Sequence, residues 1–191
     1  MVRIYVVDNG GQWTHREWRT LRDLDVDTKI VSNTTPFKDI SAERVDGLVL
    51  SGGAPRVGLQ KDLGNCREYL EKAGFPVLGI CAGHQFIAHF FGGEVKPSKI
   101  PEFGKIELTL LKEDKAIFKG VSKNSIVWES HNDEVTVLPK DFEILGKSEN
   151  CEIQAMQHKE KQLYGLQFHP EVEHTEYGEL IFKNFVKICE K

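Results

Sequence analysis

Three short apolar runs, each stopped by a glycine-bearing turn, constrain this chain more than any other feature. Ile4 to Val7 ends at Asp8-Asn9-Gly10-Gly11, Leu48-Val49-Leu50 at Ser51-Gly52-Gly53, and Val77 to Ile80 at Cys81-Ala82-Gly83. Runs of this length between turn residues read as strands. Between them, Gln12 to Leu24 has helical spacing with Trp13, Trp18 and Leu21 expected inward, and Asp62 to Ala73 is a second helical stretch. Val26 to Val31 suggests one more strand. Strands separated by helices imply a parallel sheet covered on both faces. In such sheets the site lies beyond the carboxyl ends of the strands, where the three glycine turns fall.

The second half has another texture. Lys105 to Leu111, Ser125 to Trp128, Phe142 to Lys147, Glu152 to Gln157 and Leu163 to Phe168 are strand-like and closely spaced, and a helix is expected from about Tyr177 to Cys189. The expected fold class is therefore α/β: a single domain over residues 1–191, with a mostly parallel central sheet flanked by helices and antiparallel strands added in the C-terminal half. The net charge of −4 gives no footprint for nucleic acid or an acidic membrane. No apolar run approaches the roughly 20 residues that span a bilayer. The N-terminus enters a strand directly, with no signal-peptide pattern. Cys66, Cys81, Cys151 and Cys189 are scattered, as expected of reduced thiols in a cytoplasmic protein.

Gly79-Ile80-Cys81-Ala82-Gly83 has the Gly-x-nucleophile-x-Gly spacing of a nucleophile elbow, with a helix-like run from His84 to Phe91 behind it. A sharp strand-to-helix turn strains the backbone of its central residue and needs small neighbours. The side chain then stands over the positive end of the following helix, a field that favours thiolate. Cys81 is the candidate nucleophile; the alternative is a buried, inert cysteine at a strand end.

A cysteine nucleophile needs a base and an orienter. In Phe168-His169-Pro170-Glu171 an apolar strand runs into a histidine and a carboxylate two residues apart, which share a face if the segment is extended. Pro170 stiffens the pair. The alternatives are an incidental ion pair, or a metal site of His169, Glu171 and His174, for which no further ligand cluster is visible; no metal is expected. After the third strand, Gly52 and Gly53 let the backbone approach a substrate, and the amides of Gly53 and Ala82 can form an oxyanion hole. In isolation the glycine pair would read as an ordinary turn.

Together these residues resemble the class I, or triad, glutamine amidotransferases. Gly79-Ile80-Cys81-Ala82-Gly83-His84-Gln85 is similar to the family's nucleophile motif, Phe168-His169-Pro170-Glu171 to its His/Glu motif and Leu50-Ser51-Gly52-Gly53 to its oxyanion loop. Ala54 departs from a frequent Pro and Ala82 from a frequent Tyr. The resemblance implies a flavodoxin-like core and hydrolysis of glutamine by Cys81, His169 and Glu171 through a γ-glutamyl thioester. It also implies that Gly52, Gln85, Ser130 and His131 border the glutamine.

Trp128-Glu129-Ser130-His131-Asn132-Asp133, His174-Thr175-Glu176-Tyr177-Gly178 and Asp8-Asn9-Gly10-Gly11-Gln12 resemble segments of the GMP synthetase branch of that family. The chain carries no Ser-Gly-Gly-Val-Asp-Ser phosphate loop. The resemblance is therefore to a separate amidotransferase subunit, of the kind found in archaea. It implies a partner, an XMP-binding ATP pyrophosphatase subunit, that holds ATP and Mg and uses the ammonia to make GMP. No cofactor is then expected in this chain. His131, Asn132 and Asp133 are expected near that partner. Alternatives are an amidotransferase subunit of another glutamine-dependent synthase, a silent regulatory module of the same fold, and a cysteine hydrolase with a similar elbow.

Overall fold

The computed structural model describes residues 1–60 and 62–190. The first strands, β1 (Ile4–Asp8), β2 (Ile30–Ser32), β3 (Gly47–Leu50) and β4 (Val77–Ile80), pair in parallel in the order β2-β1-β3-β4. Their connections carry the helices α1 (Thr14–Asp23), α2 (Phe37–Ala42), α3 (Val57–Gln60) and α4 (Cys66–Lys72). The chain then runs through α5 (Ala82–Phe90), β5 (Glu94–Leu110), β6 (Asn124–Val137), β7 (Phe142–Lys147), β8 (Ala155–His158), β9 (Leu163–Leu166) and α6 (Gly178–Cys189). β9 returns to lie parallel against β4, and from there the order β9-β8-β7-β5-β6 continues antiparallel. The sheet is thus mixed, parallel in one half and antiparallel in the other.

Each parallel strand is short and almost wholly buried, because helices cover both faces. One apolar layer gathers Leu21 of α1 and Phe182 and Phe185 of α6 against Val6, Val49 and Leu78. The other places Tyr69 of α4 and Phe86 and Ile87 of α5 against Val7, Leu48 and Val77. In α1 the buried positions are Thr14, Glu17 and Leu21, whereas Trp13 and Trp18 are only half-buried. The spacing of these three gives the inward stripe of a helix. Two of them are polar, which hid the stripe from a reading based on large apolar residues.

Two of the antiparallel strands, β5 and β6, are longer than their sequence suggests, whereas β8 and β9 are shorter. β5 extends back to Glu94, through Pro97 and Pro101, with its register broken between Pro97 and Glu102. Proline interrupts a ladder and masks a strand. β6 extends forward from Trp128 to Val137, with alternate residues buried. Three of these inward residues are Glu129, His131 and Asp133, polar where a strand's core face is usually apolar. The short helices α2 and α3 were not expected from the sequence. β6 ends the strand order, yet it is not remote from β9. The amide of His169 donates to the carbonyl of Trp128 at 2.9 Å, and that of Glu176 to Ile126 at 3.0 Å. The sheet therefore curls until the inner face of β6 stands opposite the end of β4.

Candidate active site

Cys81 occupies the turn between β4 and α5 with φ 49° and ψ −105°. This is a conformation that L-residues adopt only under constraint, and the two flanking glycines show how the constraint is met. A Cβ on Gly79 would lie 2.6 Å from the backbone of Gly83, and one on Gly83 would lie 2.2 Å from the carbonyl oxygen of Leu50. The helix is pressed directly onto β3 and β4, so the Gly-x-Cys-x-Gly spacing is a packing requirement. The ring of His84 completes the fit. It lies against Gly165 of β9, where a Cβ would come within 2.5 Å of Nδ1. Burial lowers the pKa of His84 to about 3 and keeps it neutral.

The structure brings His169 and Glu171 to Cys81. Nδ1 of His169 is 2.7 Å from Oε1 of Glu171, and both residues are buried. β9 ends at Leu166, so the pair forms across a bend beyond the strand rather than along an extended segment. The amide of His169 is anchored to β6, and Thr175 Oγ1 donates to its carbonyl at 2.8 Å. Trp13 meets the imidazole edge-on, with centroids 4.5 Å apart. Burial alone would lower the pKa of His169. The Glu171 carboxylate and the Cys81 side chain outweigh it and hold the ring's proton well above the usual imidazole range. An imidazolium so supported is suited to protonating a departing amine. At the other three cysteines burial pushes the thiol up, Cys66 to about 12 and Cys151 and Cys189 upward as well. A buried apolar setting suppresses thiolate formation.

Two cavities meet at Cys81. The larger, about 290 Å³, carries His169, Glu171, Trp13 and Glu17 on its wall. The smaller, about 180 Å³, carries Ala82, Gln85, His131 and Asp133. Gly53 and Ser130 border both. Of the residues expected to border glutamine, Gln85, Ser130 and His131 therefore converge on the smaller cavity, beside the two expected oxyanion donors. Gln85 also braces that wall: Nε2 donates to the carbonyl of Asp133 at 2.7 Å and to Oε1 of Gln167 at 3.1 Å.

Gly52 stands apart from these three residues. It borders the larger cavity and not the smaller. Its amide donates to Oε1 of Glu17 at 3.4 Å, and its α-carbon lies so close to His169 that a Cβ would be 3.1 Å from Cε1. Gly52 thus gives the histidine room, and its N–H is turned to α1. Ser51 fixes the same loop by accepting from the amide of Asn9 at 3.0 Å and donating to the carbonyl of Gly52 at 2.8 Å.

The three residues expected near a partner are placed unequally. Asn132 is exposed, whereas His131 and Asp133 are buried on the inner face of β6. The reason is the two-residue period of a strand. His174 is likewise not gathered with His169 and Glu171. It stacks on Trp128 with centroids 4.9 Å apart and stands near Glu173 at the surface.

Three buried carboxyls near the site escaped the sequence reading. Glu17 is 1% exposed, and its Oε2 has no partner. Burial, and then the neighbouring Glu171, push its pKa well above the usual carboxylate range. Glu129 is wholly buried; neither oxygen has a hydrogen-bond partner among the described residues, though Oε2 stands 3.5 Å from Nε2 of His131, and burial followed by Glu102 pushes its pKa upward. Glu102 behaves oppositely: burial opposes its charge, but hydrogen bonds to His131 and Ser148 hold it below the usual range. Its oxygens also take 2.6 Å from Gln154 Nε2 and 2.7 Å from Ser148 Oγ. Ligand atoms of Glu102, His131 and Cys151 lie within 4.8 Å of one another. However, the Glu102 oxygens are already committed to Ser148, Gln154 and His131. The cluster is built as a polar core, since a metal would need free, deprotonated donors. Glu17 had one sequence signal, a charge on the inward stripe of α1; Glu102 and Glu129 had none without the strand boundaries.

Comparison with known proteins agrees with this geometry. The chain is 52% identical over 192 residues to a glutamine-hydrolyzing GMP synthase subunit from Thermoplasma volcanium, covering 100% of this chain and 94% of that one. It is 50% identical over 189 residues to the protein of that name from Pyrococcus abyssi, covering 97% and 98%. The crystal structure of a protein from Thermoplasma acidophilum, described as a putative subunit of GMP synthase, superposes with a TM-score of 0.94 at 50% identity, covering 100% of this chain and 94% of that one. A glutamine amidotransferase from Thermotoga maritima shares the fold at a TM-score of 0.74 and 21% identity, covering 99% and 82%. The sequence profile of the family Glutamine amidotransferase class-I matches residues 5–189. With its strained cysteine elbow and its paired histidine and glutamate, this chain belongs to the class-I glutamine amidotransferase family.

Proposed function

We propose that this chain is the glutaminase subunit of a two-subunit GMP synthetase. The observation that carries the reading is the convergence of Cys81, His169 and Glu171 at the junction of two cavities. The names of the relatives set out above support the choice of synthetase and imply a second subunit.

In this reading the Cys81 thiolate attacks the side-chain amide carbon of glutamine and a C–S bond forms. The amides of Gly53 and Ala82 receive the developing oxyanion. His169 gives its proton to the amide nitrogen, the C–N bond breaks, and ammonia leaves a γ-glutamyl thioester. His169, now neutral, takes a proton from water as that water attacks the thioester. Glutamate departs, its γ-carboxyl proton passing to solvent, and the Cys81 thiolate and His169 imidazolium are restored. Glu171 holds the imidazole in position throughout. The chain needs no cofactor for these steps. ATP and Mg belong to the partner, an XMP-binding ATP pyrophosphatase subunit that consumes the ammonia. The residues work as one domain, and the four free thiols suit the reducing cytoplasm. Among the described residues no helix is long and apolar enough to cross a membrane.

The test uses the complex of both subunits. Cys81→Ala should lower glutamine-dependent GMP formation by at least about 10⁴-fold, because a nucleophile acts as a unit with its base. GMP formation from ammonium chloride should persist. Loss of both activities, or retention of both, would refute the assignment.

A further inference from the structure

The larger cavity has a carboxyl on its wall that the glutaminase chemistry does not use. Glu17 of α1 borders it, as do Glu171, Trp13, Cys81 and His169. Each of the two glutamates has one committed oxygen. Oε1 of Glu17 accepts from the Gly52 amide at 3.4 Å, and Oε1 of Glu171 lies 2.7 Å from Nδ1 of His169. The other oxygen, Oε2 in both, is buried and has no hydrogen-bond partner among the described residues. No Lys or Arg among the described residues borders this cavity.

A buried carboxylate is costly unless a cation or hydrogen bonds answer it, and two on one wall also repel. The imidazole of His169 answers Glu171. Burial and the Glu171 charge push Glu17 toward its protonated form. Amide cleavage at Cys81 delivers a base beside this wall. An amine holds a proton far more firmly than a carboxylate does. Ammonium carries four N–H donors for the two unpartnered oxygens. At about 290 Å³ the cavity exceeds the roughly 30 Å³ share of a water-sized guest. Trp13 adds aromatic surface, which attracts small cations.

We propose that Glu17 and Glu171 form an ammonium site beside the triad, where the product of amide cleavage rests before it moves on. Ammonia takes the carboxyl proton of Glu17: an N–H bond forms, the O–H bond breaks, and ammonium is held by the two carboxylates. On departure the proton returns to Glu17 and neutral ammonia leaves, so the exchange uses no net proton. The source of the ammonia rests on the glutaminase reading; the cation site itself does not.

The test reads binding without turnover. Tm of the full chain is measured in about 0.1 M ammonium, potassium or tetramethylammonium chloride. A site half-filled near 20 mM would shift the folding equilibrium about sixfold under these conditions, which is about 2–4 °C in Tm for a chain of this size. Ammonium should give that rise over tetramethylammonium, which is too bulky and has no N–H donor. Potassium, similar in size but without donors, should give less. In Glu17→Gln, which has no carboxyl proton to lend, the ammonium effect should vanish. Glu17→Met serves the same purpose if the glutamine variant does not fold. Equal Tm values for the wild type in all three salts would overturn the site. Equal rises in ammonium and potassium would overturn its selectivity for ammonium, and a rise that survives in the variants would remove Glu17 from it. If the wild-type two-subunit complex releases no glutamate from glutamine, the glutaminase reading fails, a result separate from any of these.

Discussion

The two halves of the sheet build the site by different physics. On the parallel side, the functional groups stand on tight turns just past the strands, and steric fit places them. Cys81 has its strained φ because Gly79 and Gly83 allow α5 to touch β3 and β4. On the antiparallel side, the wall is the inner face of β6, and buried charge places it. Glu129, His131 and Asp133 point inward, and Glu102, Ser148 and Gln154 meet them from neighbouring segments. Close packing tolerates almost no added atom. A buried polar network loses stability with each missing partner. Cys81 thus rests on shape and the inner face of β6 on electrostatics.

Substitutions can break or sharpen this contrast. Glu171→Gln probes the one place on the parallel side where charge matters. It should lower kcat by about 10²–10⁴-fold, as loss of an orienting carboxylate does in comparable triads. A steady-state glutaminase assay in the complex would read this, and a change below about tenfold would remove Glu171 from the triad. Next, Gly83→Ala probes shape. An added Cβ 2.2 Å from the Leu50 carbonyl oxygen forces α5 off the sheet, at a cost of about 3 kcal/mol. Urea unfolding measures that loss. An unchanged midpoint would mean that the elbow is not close-packed.

The smallest expected effect belongs to the antiparallel wall. Burial and Glu102 raise the pKa of Glu129 in the folded state. The folded chain therefore holds that proton more tightly than the unfolded chain, whose carboxyl titrates near 4.3. The stabilising contribution is present below that pH and is lost as pH rises through the folded pKa. Glu129→Gln removes the titration. It should leave Tm nearly unchanged around pH 4 and raise it by about 2–4 °C at pH 8, the shift expected for a 1 kcal/mol gain in a chain of this size. A gain that is the same at both pH values would show that Glu129 acts through packing alone.

The elements on the parallel side were legible because their signals are local. An apolar run ending in Gly-x-Cys-x-Gly announces its strand, its turn and its helix within a dozen residues, and His169-Pro170-Glu171 announces a base beside a carboxylate. The wall was illegible for the opposite reason. β6 carries Glu129 and Asp133 on its core face, so its pattern reads as a solvated segment after Trp128. Prolines broke up β5 in the same way. Buried charges are stable only in relation to partners distant in sequence: Glu102 is 29 residues from His131, and Arg56 is 77 from Asp133.

By itself the sequence determined the strand–turn–helix order, the strained cysteine and the identity of its base and orienter, because glycine spacing and adjacent side chains express short-range sterics. Only the tertiary structure decided that Gly52 turns to Glu17, that His131 and Asp133 are interior, and that Arg56 is paired with Asp133. Those outcomes depend on the curl of the sheet that carries β6 back to the end of β4, and such a curl is set by the packing of the whole chain.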